Sequence, residues 1–475
     1  MSVDGPVYQR FRQFVVLGLA IFALGVLALP LFRPRENAVP VGRREVAFWH
    51  FWGGADRDVV EDVVRRFNAS QSKYWVRAIA VPGNNFDAKL FLSIAGGAPP
   101  DLVNQDDPVI ADWYGRGAVQ AIEDMLSPQE LAALRAFLLP AAKRLAEVDG
   151  RLIGVPNGLD LRMLYFNQSE LERRGLTVPR TLGQFDAVVD AITPPGTDLQ
   201  TVSTVAFLPD ARRLWTWGYV FGGSFYDQAT GRVTLETPPI VAALTWMIDR
   251  CRGFGPDGLA AFRRGDQSLP GKTFPLLPTD DAATVGRYVF MLDGQWRVRD
   301  IEAFQRDRRV RGISPVEFGV CPLPYPESGV GRARSGWVNG NFFLVPRGAR
   351  NPAGAWAFMQ YWIGLQDAGQ AAETCQRGGW IPVSRAVIET PTFQAYLAAH
   401  PLMARFVELA DSEQLFPYPQ VPGAMYFLRE VQAAAESALA RPASSLTAIL
   451  HQAESRIQSH LDAQRRQTMS QGANQ

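Results

Sequence analysis

The sequence predicts an α/β protein of two lobes, each a sheet flanked by helices, carried behind an N-terminal transmembrane helix. Three observations predict it. The chain has 475 residues, more than a single hydrophobic core usually organises, so two domains or lobes are expected. From Glu45 onward, strand-like and helix-like apolar patterns alternate, which implies a parallel sheet. Residues 14–32 form an uncharged apolar stretch of the length that spans a bilayer. At 47% hydrophobic and 20% charged residues, the chain has the make-up of an ordered protein.

The stretch 14–32 reads FVVLGLAIFALGVLALPLF, bracketed by Arg10 and Arg12 before it and Arg33 and Arg35 after it. No good small-residue exit site follows Leu29, so an uncleaved signal anchor is expected, with cleavage near Ala38 as the open alternative. No Cys follows closely, which excludes a lipid-modified mature N-terminus. The arginines after Phe32 oppose the positive-inside rule, but that rule is weak for long translocated domains. The expectation is therefore a cytoplasmic tail (1–13), a single-pass anchor (14–32), an extended linker (33–44), and a body in the periplasm or extracellular space.

Within the body, VAFWHFW (46–52) reads as a buried strand ended by Gly53 and Gly54. The following DRDVVEDVVRRFNAS places Val59, Val60, Val63, Val64 and Phe67 at helical spacing. WVRAIAV (75–81) is a second strand, closed by Pro82 and Gly83. NNFDAKLFLSIAGG is a second helix. PPDLVNQDDP is a short strand whose carboxyl end bears Asn104, Gln105, Asp106 and Asp107. In parallel sheets ligands bind beyond the carboxyl ends of strands, so the loops at 50–54 and 104–107 are the first places to look. GRLIGVPNGLDLRMLYFN (150–167) reads as a segment crossing into a second lobe. The expected lobes are 45–156 with about 340–395, and 157–339 with about 396–463, followed by a polar tail (464–475).

Composition narrows the function. Net charge is +1, from 48 basic and 47 acidic residues, with no basic stripe, so no nucleic-acid partner is expected. Cys251, Cys321 and Cys375 have no metal-site or redox spacing. One disulfide is possible in an oxidising compartment, with no pair preferred, and free buried thiols fit equally well. No nucleophile elbow, zinc-protease or phosphate-loop motif is present. The histidines His50, His400, His451 and His460 are scattered. Carboxylates that could run glycoside hydrolysis (Asp106, Asp107, Asp160, Asp293) have no telling spacing. No enzyme, cofactor or metal is expected.

A reversible sugar binder needs aromatic rings for apolar sugar faces and planar polar groups for hydroxyls. The chain repeatedly sets Trp beside Gly and polar residues: His50 and Trp52 before Gly53, Trp296 in DGQWR, Trp337 with Asn339 and Asn341 in SGWVNGN, and Trp380 in RGGWIP.

These segments, taken in order, resemble the bacterial family 1 extracellular solute-binding proteins, which include the maltose-binding proteins. The resemblance runs from about residue 46 to 461. VAFWHFWGG with RRFNAS, LSIAGGAPPDLVNQD and YGRGAVQAIEDM match the family's first blocks. GVPNGLDLRMLYFNQSELERRGLTVPRTLGQF matches the most specific one, with Phe166 and Leu182 where Tyr and Trp are usual. VFMLDGQWRVRDI, FGVCPLPYP and GWVNGNFFLVP follow. The resemblance implies a hinged, two-lobed periplasmic-binding-protein-like fold of type II that closes on a ligand. The crossings would lie near Pro156, near residues 337–341, and late in the chain.

Carried over residue by residue, the resemblance offers His50, Trp52, Gln105, Asp106, Asp107, Asp160, Trp215, Trp217, Trp296 and Tyr426 as ligand contacts; Trp337, Asn339 and Trp380 join them from the aromatic–polar pattern itself. Trp296 and Tyr426 would stack on sugar rings. Asp106 or Asp107, Asp160 and Asn339 would pair with hydroxyls, and Arg212 and Arg213 with an acidic sugar. The implied role is a monomeric receptor that captures a mono- or oligosaccharide and delivers it to ABC permease subunits. The alternative is a membrane-tethered glycan-processing enzyme or sugar sensor.

Overall fold

A computed structural model describes residues 39–106, 109–269, 273–327, 331–440 and 445–472. The expected cytoplasmic tail and anchor (1–32), the first half of the linker (33–38), and Asp107 lie outside the described residues. Among the described residues, no helix is long and apolar enough to cross a membrane.

The strands in chain order are β1 (Arg44–His50), β2 (Tyr74–Ala80), β3 (Leu102–Asp106), β4 (Val119–Gln120), β5 (Glu147–Val148), β6 (Arg151–Leu152), β7 (Val155–Asn167), β8 (Tyr226–Asp227), β9 (Arg232–Val233), β10 (Phe290–Gly294), β11 (Phe318–Cys321), β12 (Gly336–Pro346) and β13 (Leu415–Phe416). β1 lies between β2 and β3, parallel to both, as the alternating pattern requires. The helix Gly54–Ser70 turns Val60, Val63, Val64 and Phe67 onto this sheet, one apolar stripe of the 3.6-residue repeat. Asn68 ties helix to strand, bonding both the Val76 N–H at 2.8 Å and its carbonyl at 2.9 Å.

Two long strands carry the chain between lobes. β12 runs antiparallel to β3 at one end and to β7 along its length, with a bulge between Asn341 and Phe342. β7 pairs with β12 through Leu161, and its second half then lies between β10 and β11. The crossing is tight. A Cβ on Gly340 would stand 2.5 Å from the Gly158 carbonyl oxygen, so only glycine lets these two strands meet there.

Two hydrophobic cores result. The first surrounds β1, β3, β12 and one face of β7. The second gathers Phe185, Trp215, Trp217, Phe225, Trp246 and Phe290 with the helices Ala424–Ala440 and Leu446–Gly472. The helix Pro401–Ala410 packs Met403, Phe406 and Leu409 into the first core rather than the second. Phe406 meets Tyr165 of β7 at 5.6 Å, which draws that helix to the β7 crossing instead of to the second lobe. Cys251, Cys321 and Cys375 are free.

Candidate ligand-binding cleft

Side chains alternate along a strand, and the crossing strands use that alternation to divide polar from apolar. On β7, Leu159, Leu161 and Met163 enter the first core, while Asp160 and Arg162 take the opposite face. On β12, Val338 and Phe342 enter the same core, while Trp337, Asn339 and Asn341 stay off it. Registry completes the pattern. Asn339 stands opposite Asp160, and Asn341 stands between Gly158 of β7 and Asp106 of β3. A polar row therefore crosses three adjacent strands where the lobes join.

The row is cross-linked. Asn341 Nδ2 donates to Asp106 Oδ1 at 2.6 Å. Gln295 Nε2 donates to Asp160 Oδ1 at 2.5 Å and to the Leu159 carbonyl at 3.1 Å, while its own oxygen accepts from the Leu161 N–H at 3.1 Å. Trp296 folds over Gly294, where any Cβ would meet the indole at 2.3 Å. Trp296 and Trp337 both face the Arg162 guanidinium, each at 4.5 Å from its ring centroid. Across from them Asp293 pairs with Arg297 at 2.9 Å and with Arg213 at 3.6 Å.

Burial sets the charges of this row. Asp106 is pushed up to about 7, first by loss of water and then by neighbouring Asp160, against the pull of Arg162. Burial also raises Asp160, with Arg162 and Gln295 opposing. Arg162 is lowered to about 10 by burial and by Arg213, which leaves it a cation at neutral pH. Three buried polar atoms here have no hydrogen-bond partner among the described residues: Arg162 Nε, Trp337 Nε1 and Asn339 Oδ1. They offer two donors and one acceptor.

Of the residues expected from sequence, the structure brings together Asp106, Asp160, Trp296, Trp337 and Asn339. Gln105 is beside them, but its side-chain oxygen turns back to accept from the Asp106 N–H at 3.0 Å. Trp380 packs beside Gly158, its Cβ 3.8 Å from where a Cβ on that glycine would be. The others lie elsewhere. His50 is 1% exposed and packs between Phe48 and Trp52; burial lowers it to about 4, so it stays neutral. Trp52 stacks with Trp362 at 5.8 Å and Trp380 at 5.6 Å, closing the first lobe.

Trp215 and Trp217 are both buried on the short helix Leu214–Val220. Trp215 meets Phe225 at 4.2 Å, and Trp217 meets Trp246 at 4.4 Å. That helix is enclosed on all sides, so neither ring is turned outward. Tyr426 stacks on His460 at 4.2 Å and lines a different recess with Asp112, Arg116 and Arg429. Asp112 holds it there, accepting from the Gly423 and Met425 N–H groups at the start of the helix Ala424–Ala440. Arg212 is exposed and paired to Asp210 at 2.6 Å.

Sequence reasoning missed Arg162 and Gln295. Arg162 sits in LDLRMLYF, an apolar run that reads as a plain crossing strand. The signal available was a lone cation two residues after Asp160, on the same strand face.

No family model matches the chain. Among curated proteins, it is 22% identical over 383 residues to the sn-glycerol-3-phosphate-binding periplasmic protein UgpB of Yersinia pestis bv. Antiqua (strain Antiqua), covering 77% of this chain and 79% of that protein. The counterpart of the same name from Rhizobium meliloti (strain 1021) is also 22% identical, over 380 residues, covering 75% and 79%. Among solved structures, the sugar-binding protein MalE of Xanthomonas citri superposes with a TM-score of 0.69 at 18% identity, over 90% of this chain and all (100%) of that one. The mannotriose complex of CpMnBP1 gives 0.68 at 19%, over 87% and 99%. The chain has the two-lobed fold of these solved binding proteins. The polar row at the β7–β12 crossing lies where the two lobes meet.

Proposed function

We propose that this protein is an extracytoplasmic receptor that captures a hydroxylated solute of the carbohydrate type between its lobes and hands it, unaltered, to an ABC importer. The observation that carries the reading is the row Asp106–Asn341–Asn339–Asp160 beside Trp296 and Trp337. It sets planar polar groups for hydroxyls next to indole faces for sugar rings. The relatives support it: one curated set binds sn-glycerol 3-phosphate, and the fold neighbours include proteins bound to mannotriose and to maltotriose. β7 and β12 would serve as hinge strands. Residues 14–32 would hold the receptor at the membrane by a single helix, with the binding lobes outside.

A thermal-shift screen of residues 44–475 against mono- and oligosaccharides tests this. A ligand at a hundred times its dissociation constant adds about 2.7 kcal/mol of stability. No shift with any sugar or sugar derivative would overturn the proposal.

One feature favours a second reading, a tethered glycan-processing enzyme. Asp106, raised to about 7 next to Asp160, has the protonation behaviour of a general acid. Chromatography of oligosaccharides after long incubation separates the two, since a receptor returns them intact.

A further inference from the structure

We propose that the captured solute carries an anionic group, a phosphate ester or a carboxylate, and that this group seats on the edge of the Arg162 guanidinium. The inference rests on the reading of the cleft as a solute-capture site and adds the ligand's charge. Arg162 is 7% exposed. Among the described residues no carboxylate is in ion-pair contact with it. Its Nε has no partner, and its Nη1 makes one long contact, 3.5 Å to the Leu161 carbonyl. A guanidinium has five N–H donors and is always charged at neutral pH. Burying such a charge without a partner is costly unless something completes it.

The nearby carboxylates are committed elsewhere. Asp160 holds Gln295, and Asp293 is shared by Arg297 and Arg213. Arg213 adds a second cation that depresses Arg162, against the opposing pull of Asp160 and Asp293, neither of which makes an ion-pair contact with it. Asp106, the remaining acid of the row, is substantially protonated near neutrality and brings less than a full negative charge.

Shape points the same way. The Arg162 guanidinium carbon lies over the Trp296 and Trp337 rings, 4.5 Å from each centroid. An indole stacked on a guanidinium uses its flat face, so the N–H bonds along its edge are the groups left for a ligand. That edge matches the two oxygens of a carboxylate or phosphate. The unpaired Trp337 Nε1 is a further donor at the same corner. Arg213, Asp293 and Arg297, though not Arg162 or either indole, line a recess of about 560 Å³, within the range of small-molecule sites. A wholly neutral sugar would satisfy Asn339 and Asp160 but leave the cation unpaired.

The test is calorimetric titration of the full chain in detergent with glucose, maltotriose, glucose 1-phosphate and glucuronate. It uses the parent and Arg162→Met, Arg162→Lys and Arg213→Gln. The expected result is that an anionic probe binds about tenfold or more tighter than glucose. Arg162→Met abolishes that advantage, Arg162→Lys restores part of it, and added salt weakens it. The two anionic probes tell phosphate from carboxylate. If glucose or maltotriose binds as tightly as both anions and Arg162→Met leaves affinity unchanged, the anionic seat is wrong and the capture reading stands. If no probe binds, both fail. If Arg162→Met does not melt cooperatively, the partly exposed Arg213→Gln decides, with loss of the anion advantage supporting the seat and no loss overturning it.

Discussion

Asp106 gives the sharpest test of the electrostatics, because its carboxyl is moved from 3.8 to about 7. The folded protein binds that proton more strongly than the unfolded chain. Between these two values the folded state therefore carries more protons, and stability falls as pH rises. The contribution is fully present below the unfolded value and lost once pH passes the folded one. A shift of this size corresponds to about 4 kcal/mol, and partial solvent access to the carboxylate reduces it to about 2–4 kcal/mol. Asp106→Asn keeps an oxygen for Asn341 and removes the charge. The variant should be more stable than the parent by about that amount at pH 8, with the gain shrinking to nothing near the unfolded carboxyl value. Urea melts across the range measure this through the midpoint at constant slope. A pH-independent difference, or a variant weaker than the parent at pH 8 but equal at pH 5, would refute the reasoning.

Other expectations follow from the packing. Trp52→Ala breaks the stack with Trp362 and Trp380 and should cost about 3–5 kcal/mol in urea melts; a loss below about 1 kcal/mol would mean that the stack is not part of the first core. Gly340→Ala drives a methyl to 2.5 Å from the Gly158 carbonyl and should lower stability by about 1–3 kcal/mol by prying β7 from β12; an unchanged melt would contradict the close crossing. Burial lifts Cys251 to about 11 and Cys375 to about 12, so both should resist a thiol-specific dye at pH 8 until the chain is unfolded. Rapid labelling of either thiol in the native protein would disprove that burial.

Much of the fold was legible because periodicity reports one buried face at a time. The VxxVV pattern of the first helix and the strand endings at Gly53 and Pro82 fall within two residues of their expected places. The polar row was partly legible for the same reason. Asp160 and Asn339 are polar residues in largely apolar strands, and Asp106 ends a strand that begins apolar; a polar side chain in such a place must face something other than the core. The aromatic residues were less legible. A Trp beside Gly looks alike in sequence whether its ring caps a ligand or a core, and only tertiary packing separates Trp296 from Trp215 or Trp217. Tyr426 is set by a contact distant in sequence, the Asp112 carboxylate at 311 and 313 residues from its backbone donors. No local pattern encodes that. Arg162 escaped because its significance lies in the carboxylate it lacks.

A receptor role requires solute to be held at the β7–β12 crossing and released as it came. Titrating the tightest solute from the screen into the parent, Asp160→Ala and Asn339→Ala, with mass analysis of the recovered solute, addresses both halves together. Each substitution should cost about 1–3 kcal/mol, roughly tenfold or more in affinity, with the solute mass unchanged. Undiminished affinity in both variants, or a solute recovered in altered form, would contradict it.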